Sequence, residues 1–226
     1  MENPTMNNYA SQTPMPEPGV SGVFGHSWDV LKKFLPELLL VVFIEILLSL
    51  PLGFANKIFN FPGFHPVSAN LFNLVYTLLI VMPVNYGCSW VYLKAVRGEP
   101  FRVTDIFFAY QSFANILIAN VLVFLIIGCG ILLLIVPGII FACKLAFVPY
   151  LVMDKKMEAV DAIRESWHMT TGYSGTIFLM GIVSFFIALG GIICFIVGIF
   201  PATIWISLAF ATMYMAVSGR KKPEEL

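Results

Sequence analysis

The sequence predicts an all-α fold, a polytopic membrane helical bundle of six transmembrane helices with three cytoplasmic amphipathic interfacial helices. Residues 174–219 contain no Asp, Glu, Lys or Arg, and residues 113–153 contain only Lys144. A membrane-spanning helix needs about 20 apolar residues, so each stretch is long enough for two crossings. The 226-residue chain is also 59% hydrophobic and only 12% charged, whereas soluble domains are about 25% charged.

Length and breaker residues divide the chain into six crossings. Pro137 and Pro201 lie near the middle of the two weakly charged stretches, and we interpret each as a break between two crossings. The predicted crossings are residues 34–54, 71–93, 113–136, 138–153, 175–199 and 202–217. They form a membrane domain over residues 21–219, between a disordered cytoplasmic tail (1–20) and a basic cytoplasmic tail (220–226).

Crossing two contains a breaker of its own. Pro83 lacks a backbone N–H, so it leaves the carbonyl of Leu79 without its helical donor. This arrangement predicts a kink in the second crossing.

The distribution of Lys and Arg predicts the orientation. With the N-terminus inside, eleven of the thirteen basic residues lie on the cytoplasmic side, Lys57 lies outside and Lys144 lies within a crossing. The eleven are Lys32, Lys33, Lys94, Arg97, Arg102, Lys155, Lys156, Arg164, Arg220, Lys221 and Lys222. Cytoplasmic loops of membrane proteins carry such an excess. We therefore predict a prokaryotic plasma-membrane (inner-membrane) protein with both termini in the cytoplasm.

Three cytoplasmic segments have the pattern of amphipathic helices. Residues 21–33, 101–112 and 157–173 carry apolar side chains among polar ones, and each segment precedes a pair of crossings. The chain therefore reads as three units, each with one amphipathic helix, one rising crossing and one falling crossing. Two pairs of short motifs support the repeat: Ser27-Trp28 with Ser166-Trp167, and Ile135-Val136-Pro137 with Ile199-Phe200-Pro201.

The amphipathic segments also carry candidate interfacial contacts. Trp28 and Trp167 lie near basic residues, and Arg102 and Arg164 belong to the same segments. Trp and Lys or Arg together are typical of helices that lie in the headgroup layer. We expect the lipid bilayer, with anionic headgroups in particular, to be the partner of these four residues.

Two charges lie within predicted crossings, where a charge costs roughly 2.5–3.5 kcal/mol on insertion scales. Glu45 is near the middle of crossing one, and Lys144 is in the outer half of crossing four. Their predicted depths are similar, so we hypothesise that they form an intramembrane pair. The pair would either set the register of two helices, or form a polar pocket for an anionic headgroup or a proton relay.

No motif in the sequence predicts catalysis. Asp161, Glu165 and His168 share one face of the third amphipathic segment, but a solvated polar face accounts for them. The four cysteines form no CxxC pair, and the net charge is zero. We therefore expect no enzymatic activity, no cofactor, no metal and no nucleic-acid partner.

Residues 134–173 carry a recognisable pattern. Its elements are Pro137-Gly138, Lys144, Pro149-Tyr150, Asp154, Ala162-Ile163, Ser166-Trp167, Thr170 and Gly172. The pattern resembles an uncharacterised group of bacterial and archaeal integral membrane proteins, which includes the membrane domain found in front of some glycerophosphodiester phosphodiesterases. The resemblance implies a six-helix membrane unit. It implies no catalytic residue, because the phosphodiesterase chemistry of that group belongs to a separate soluble domain.

The sequence therefore predicts a multi-pass integral membrane protein that organises the membrane or binds lipid or a protein partner, a second copy of the chain included. The alternative is a small transporter or permease subunit with a polar site near Glu45 and Lys144, which would place a water-accessible cavity beside Asn85. A third hypothesis, a membrane-embedded enzyme acting on lipid, depends on Asp161, Glu165 and His168 alone.

Overall fold

The computed structural model describes residues 17–58, 66–193 and 198–219, and side chains from residue 53 to 69 are not described. Within these ranges the regular secondary structure consists of helices, and the described residues form no strand. Six helical stretches are long and apolar enough to cross a membrane. This confirms the all-α bundle and the multi-pass membrane class. Most of the predicted N-terminal tail (1–16) and the basic tail (220–226) lie outside the described residues.

The helices follow one another with short connections. We number the α-helices α1 to α9 in chain order, and a π-helical and a 3₁₀ segment lie between them. Their bounds are α1 Val20–Ile58, α2 Pro66–Tyr76, the π segment Thr77–Val81, α3 Met82–Arg97, the 3₁₀ helix Val103–Ser112, α4 Phe113–Leu133, α5 Ile135–Lys144, α6 Val148–Asp154, α7 Ala159–Met169, α8 Ser174–Ile193 and α9 Ile199–Ser218.

Helix α1 contains both the first amphipathic segment and crossing one. The two parts meet at Phe34, whose dihedral angles (φ −113°, ψ 22°) are not helical. Pro36 explains the kink, because its ring clashes with the carbonyl of the preceding turn and it donates no hydrogen bond. The kink separates the amphipathic part, residues 20–33, from the crossing that follows.

The predicted irregularity in crossing two is a π-helical turn. Thr77–Val81 forms this turn just before Pro83. The carbonyl of Leu79, which Pro83 deprives of its helical donor, accepts a hydrogen bond from the hydroxyl of Tyr110 at 3.2 Å. The crossing ends at Gly98, which adopts a left-handed conformation (φ 70°) that favours glycine.

The turns of the two later hairpins do not lie at the prolines. Between α4 and α5 the break is at Leu134, which is extended, and Pro137 is the third residue of α5. Pro201 likewise lies in the first turn of α9. A proline is tolerated there because the first N–H groups of a helix have no helical acceptor. The breaks predicted at the prolines are therefore wrong by a few residues, and crossings four and six each span 20 residues.

The packed core and the exposed apolar belt lie on different parts of the crossings. Buried residues concentrate in the C-terminal parts of the falling crossings, at residues 84–96, 145–153 and 204–217. Large exposed apolar side chains concentrate at residues 118–140 and 178–193. In a membrane protein such a belt faces lipid, which is as apolar as the side chains themselves.

Each amphipathic segment packs on the falling crossing of the preceding unit. The 3₁₀ helix lies on α3, where Gly87 faces the backbone carbonyl of Ile106. Helix α7 lies on crossing four through Ser166, and the N-terminal part of α1 lies on α9 through Ser27, whose hydroxyl is 3.0 Å from that of Thr212. The first unit thereby closes on the third, so the three units form a ring. The middle segment differs from the prediction in being a 3₁₀ helix.

The two Ser-Trp motifs occupy equivalent places in this ring. The ring of Trp167 packs on Phe141 with centroids 5.6 Å apart, and that of Trp28 packs on Trp205 at 4.7 Å. Phe141 and Trp205 each lie four residues after the proline of their crossing. The equivalence of the two motifs, inferred from the sequence, therefore holds in the three-dimensional contacts.

Replacing Ser166 tests the contact between α7 and crossing four. The fully buried hydroxyl donates to the carbonyl of Lys144 (2.8 Å) and accepts from the N–H of Phe147 (3.3 Å). Ser166→Ala leaves that buried N–H unpaired, so we expect a loss of about 1–2 kcal/mol in the free energy of unfolding. Ser89→Ala, which removes an exposed bond to the Asn85 carbonyl, is the control for thermal unfolding in detergent. Equal midpoints for the two variants would contradict this role.

Candidate functional site

Lys144, the only charge in the two long apolar stretches, lies at a break in crossing four. It is the last residue of α5, and its carbonyl accepts hydrogen bonds from the hydroxyls of Ser166 (2.8 Å) and Thr170 (3.2 Å). Its amine donates to Oγ1 of Thr171 at 2.9 Å and lies 5.7 Å from the centroid of the Trp167 ring. Because Thr171 precedes α8 by three residues, the amine lies beside the start of crossing five.

Glu45 has a different partner. Its carboxylate lies near the Cys88 side chain on α3, close enough for the two groups to interact electrostatically. Among the described residues, no ion pair joins Glu45 to Lys144. The pair hypothesised from depth is therefore wrong. The depths were estimated for an unbroken helix, whereas crossing four breaks after Lys144 and directs the amine toward the turn before α8.

An open apolar groove runs between α5 and α8. Its two adjoining parts have volumes of about 350 and 580 Å³ and share Ile139, Cys143 and Phe178. Glycines on α8 form part of the wall, and a Cβ atom on Gly175 or Gly181 would meet no atom within 4 Å. The groove is therefore wide because these positions lack side chains. Its lining includes Cys143, which directly precedes Lys144, and Ser174, which follows the Lys144 partner Thr171 by three residues.

The four predicted interfacial residues remain accessible in the fold. Trp28 is 43% exposed and Trp167 is 40% exposed, although each ring packs along one face on another aromatic ring. Arg102 and Arg164 are exposed. Of the four, Trp167 is the one that contacts Lys144 and so belongs to the same site.

A polar network joins the ends of the three falling crossings, and the sequence did not predict it. Arg97 donates two hydrogen bonds to Asp154, at 2.6 and 2.7 Å, and the Tyr214 hydroxyl donates to the same carboxylate at 2.8 Å. These residues belong to α3, α6 and α9 respectively. The threefold pattern contained a signal for the contact between Arg97 and Asp154. The two residues have opposite charges and lie at equivalent ends of two falling crossings, which predicts that they meet.

The polar face of α7 carries the three residues on which the membrane-embedded enzyme hypothesis depends. Asp161 and His168 are exposed, and Glu165 is partly buried. In the part of the chain that the structure describes, no group of three His, Cys, Asp or Glu residues is arranged to hold a metal ion.

Comparison with known proteins adds no assignment. No protein-family model, no curated protein and no solved structure matches this chain. The proposals below are therefore based on the geometry of the groove and of Lys144.

Proposed function

We propose that this multi-pass membrane protein is a non-enzymatic lipid-binding protein that takes a lipid acyl chain into the groove between α5 and α8. The observation that supports this proposal is an apolar groove, open at the side of the bundle, within two predicted membrane-spanning segments. Of its lining, Phe178 is 46% exposed and Phe185 is 65% exposed. In a bilayer, acyl chains are the molecules that reach such a surface.

The dimensions of the groove suit one chain. Along α5 its wall runs from Val136 to Cys143, about 10 Å at 1.5 Å per residue. Along α8 it continues to Phe186. Apolar contact along this length favours an acyl chain through dispersion, which is small for each atom pair and large in sum.

The family relationship is part of the same proposal. The residues that resemble the uncharacterised membrane-protein group, from Pro137 to Gly172, include Lys144 and the Ser166-Trp167 motif beside it. We propose that the residues of this pattern bind lipid and take no part in catalysis.

The transporter alternative receives less support. It required a shared polar cavity around Glu45, Lys144 and Asn85. Glu45 and Lys144 have separate partners, and Asn85 is exposed on α3. Both parts of the apolar groove between α5 and α8 are lined by other residues.

The substitution Gly181→Leu tests the proposal by filling the groove. We expect the dissociation constant of a phospholipid, measured by native mass spectrometry from mild detergent, to rise roughly tenfold, because about two methylene contacts are lost. Gly175→Leu, at the other end of the groove, should act in the same direction. Both positions have room for a Cβ atom.

Gly128→Leu on α4 is the matched control. A Cβ atom there also meets no atom within 4 Å, and Gly128 does not line the groove. We expect its lipid affinity to equal that of the wild type. If both groove variants bind phospholipid as tightly as Gly128→Leu does, the groove is not a lipid site and the proposed function is wrong.

A further inference from the structure

The Lys144 amine has no acidic partner. In the described part of the chain, the four ion pairs join other residues, and Lys144 has only a hydroxyl and an aromatic ring beside it. Two basic residues at the end of crossing two do have acidic partners: Lys94 pairs with Asp105 at 2.8 Å, and Arg97 pairs with Asp154. An unneutralised ammonium at a membrane boundary attracts an anion, and the bilayer supplies one as phosphate headgroups.

The charge at this position is not required by the fold. Leu208 of crossing six lies seven residues after Pro201, as Lys144 lies seven residues after Pro137 in crossing four, so the equivalent position of crossing six is apolar. A charge at this position is therefore not shared by the two crossings, as expected if Lys144 serves a ligand.

The Lys144 amine and the groove are placed relative to each other as the headgroup and an acyl chain of a phospholipid are. Lys144 directly follows Cys143, which lines both parts of the groove, and its partner Thr171 lies in the turn that leads to Ser174 at the groove's other wall. The groove extends from this point along two membrane-spanning segments, whereas the amine lies just before crossing five begins. A chain in the groove would thus place its headgroup at the amine.

We propose that the groove selects an anionic phospholipid, whose phosphate group is bound by the Lys144 ammonium with the Thr171 hydroxyl as a second donor. This inference rests on the proposed function and specifies the lipid class. The indole of Trp167 covers the amine on one side, so the phosphate approaches from the groove side. With the orientation predicted from the sequence, the lipid belongs to the cytoplasmic leaflet.

The experiment compares phosphatidylglycerol with phosphatidylcholine of the same acyl chains, by native mass spectrometry of the full chain in a nonionic detergent. We expect the wild type to prefer phosphatidylglycerol roughly fivefold, the factor given by about 1 kcal/mol for one basic residue at the surface. Lys144→Gln should remove this preference, with a larger loss for phosphatidylglycerol than for phosphatidylcholine, because the trimethylammonium group of phosphatidylcholine already offsets the charge of its phosphate. Lys144→Arg should retain the preference.

Lys155→Gln is the matched control, because it removes one exposed positive charge directly after α6, at the end of the same crossing. We expect it to keep the preference. The inference is overturned if Lys144→Gln retains the full preference, or if Lys155→Gln lowers it equally, which would indicate a general surface charge. Either result leaves the groove proposal standing as long as Gly181→Leu weakens the binding of both lipids. Conversely, unchanged binding of both lipids to the groove variants contradicts the proposed function itself.

Discussion

Gly87→Ala is expected to be the most damaging single-methyl change in the bundle. A Cβ atom on Gly87 would overlap the backbone carbonyl of Ile106, a residue that is fully buried in the 3₁₀ helix. A backbone group cannot rotate away as a side chain can, so the 3₁₀ helix must move off α3. That movement also strains the bond between Lys94 and Asp105. We expect a loss of about 3 kcal/mol or more in the free energy of unfolding.

The measurement is reversible unfolding in mixed detergent micelles, with Gly128→Ala as the control. Gly128 has open space where its Cβ would lie, and alanine is favoured over glycine in a helix by about 1 kcal/mol. Gly128→Ala should therefore be neutral or stabilising. If Gly87→Ala is as stable as Gly128→Ala, the close approach of the 3₁₀ helix to α3 does not exist in the protein.

Arg97→Met is expected to cause the second large loss in the free energy of unfolding. It leaves the Asp154 carboxylate, which is 13% exposed, with the Tyr214 hydroxyl as its remaining donor in the network. Breaking a buried ion pair from one side costs 3–5 kcal/mol, and the partial exposure of Arg97 lowers our expectation to about 2 kcal/mol. Because the network joins three falling crossings, we expect the loss to be cooperative, with one unfolding transition at a lower midpoint.

A double-mutant cycle separates the interaction energy between Arg97 and Asp154 from the effects of the two single substitutions. The double variant Arg97→Met with Asp154→Leu removes both charges, so it should lose less stability than the sum of the two single variants. Lys32→Met is the control, because it breaks the ion pair with Asp29, in which both side chains are more than half exposed. Such pairs contribute at most about 1 kcal/mol. Additive losses in the cycle would show that Arg97 and Asp154 are not coupled.

Much of the fold could be predicted because its causes are local or compositional. Apolar stretches of about 20 residues indicate membrane crossings, and the missing N–H of Pro83 removes one hydrogen bond from the second crossing and so predicts an irregularity there. The repeated Ser-Trp motif likewise corresponds to a repeated contact, because Trp28 and Trp167 pack on equivalent rings.

The positions of breaks were less predictable. A proline was taken as the end of a crossing, yet Pro137 and Pro201 lie in the first turn of the helices that follow the breaks. The break after Lys144 has a cause remote in sequence, because hydroxyls from Ser166 and Thr170 occupy its carbonyl. The depth of Lys144, estimated along an unbroken helix, therefore led to the wrong partner, Glu45.

The sequence by itself determined the class, the number of crossings and the threefold order of the chain, because hydrophobicity and periodicity act within single segments. Only the tertiary structure decided which side chains meet across units: Arg97 with Asp154 and Tyr214, and Lys144 with Thr171. These contacts depend on how the amphipathic segments pack on the falling crossings. The same packing leaves Lys144, next to the apolar groove, outside the ion pairs of the described residues.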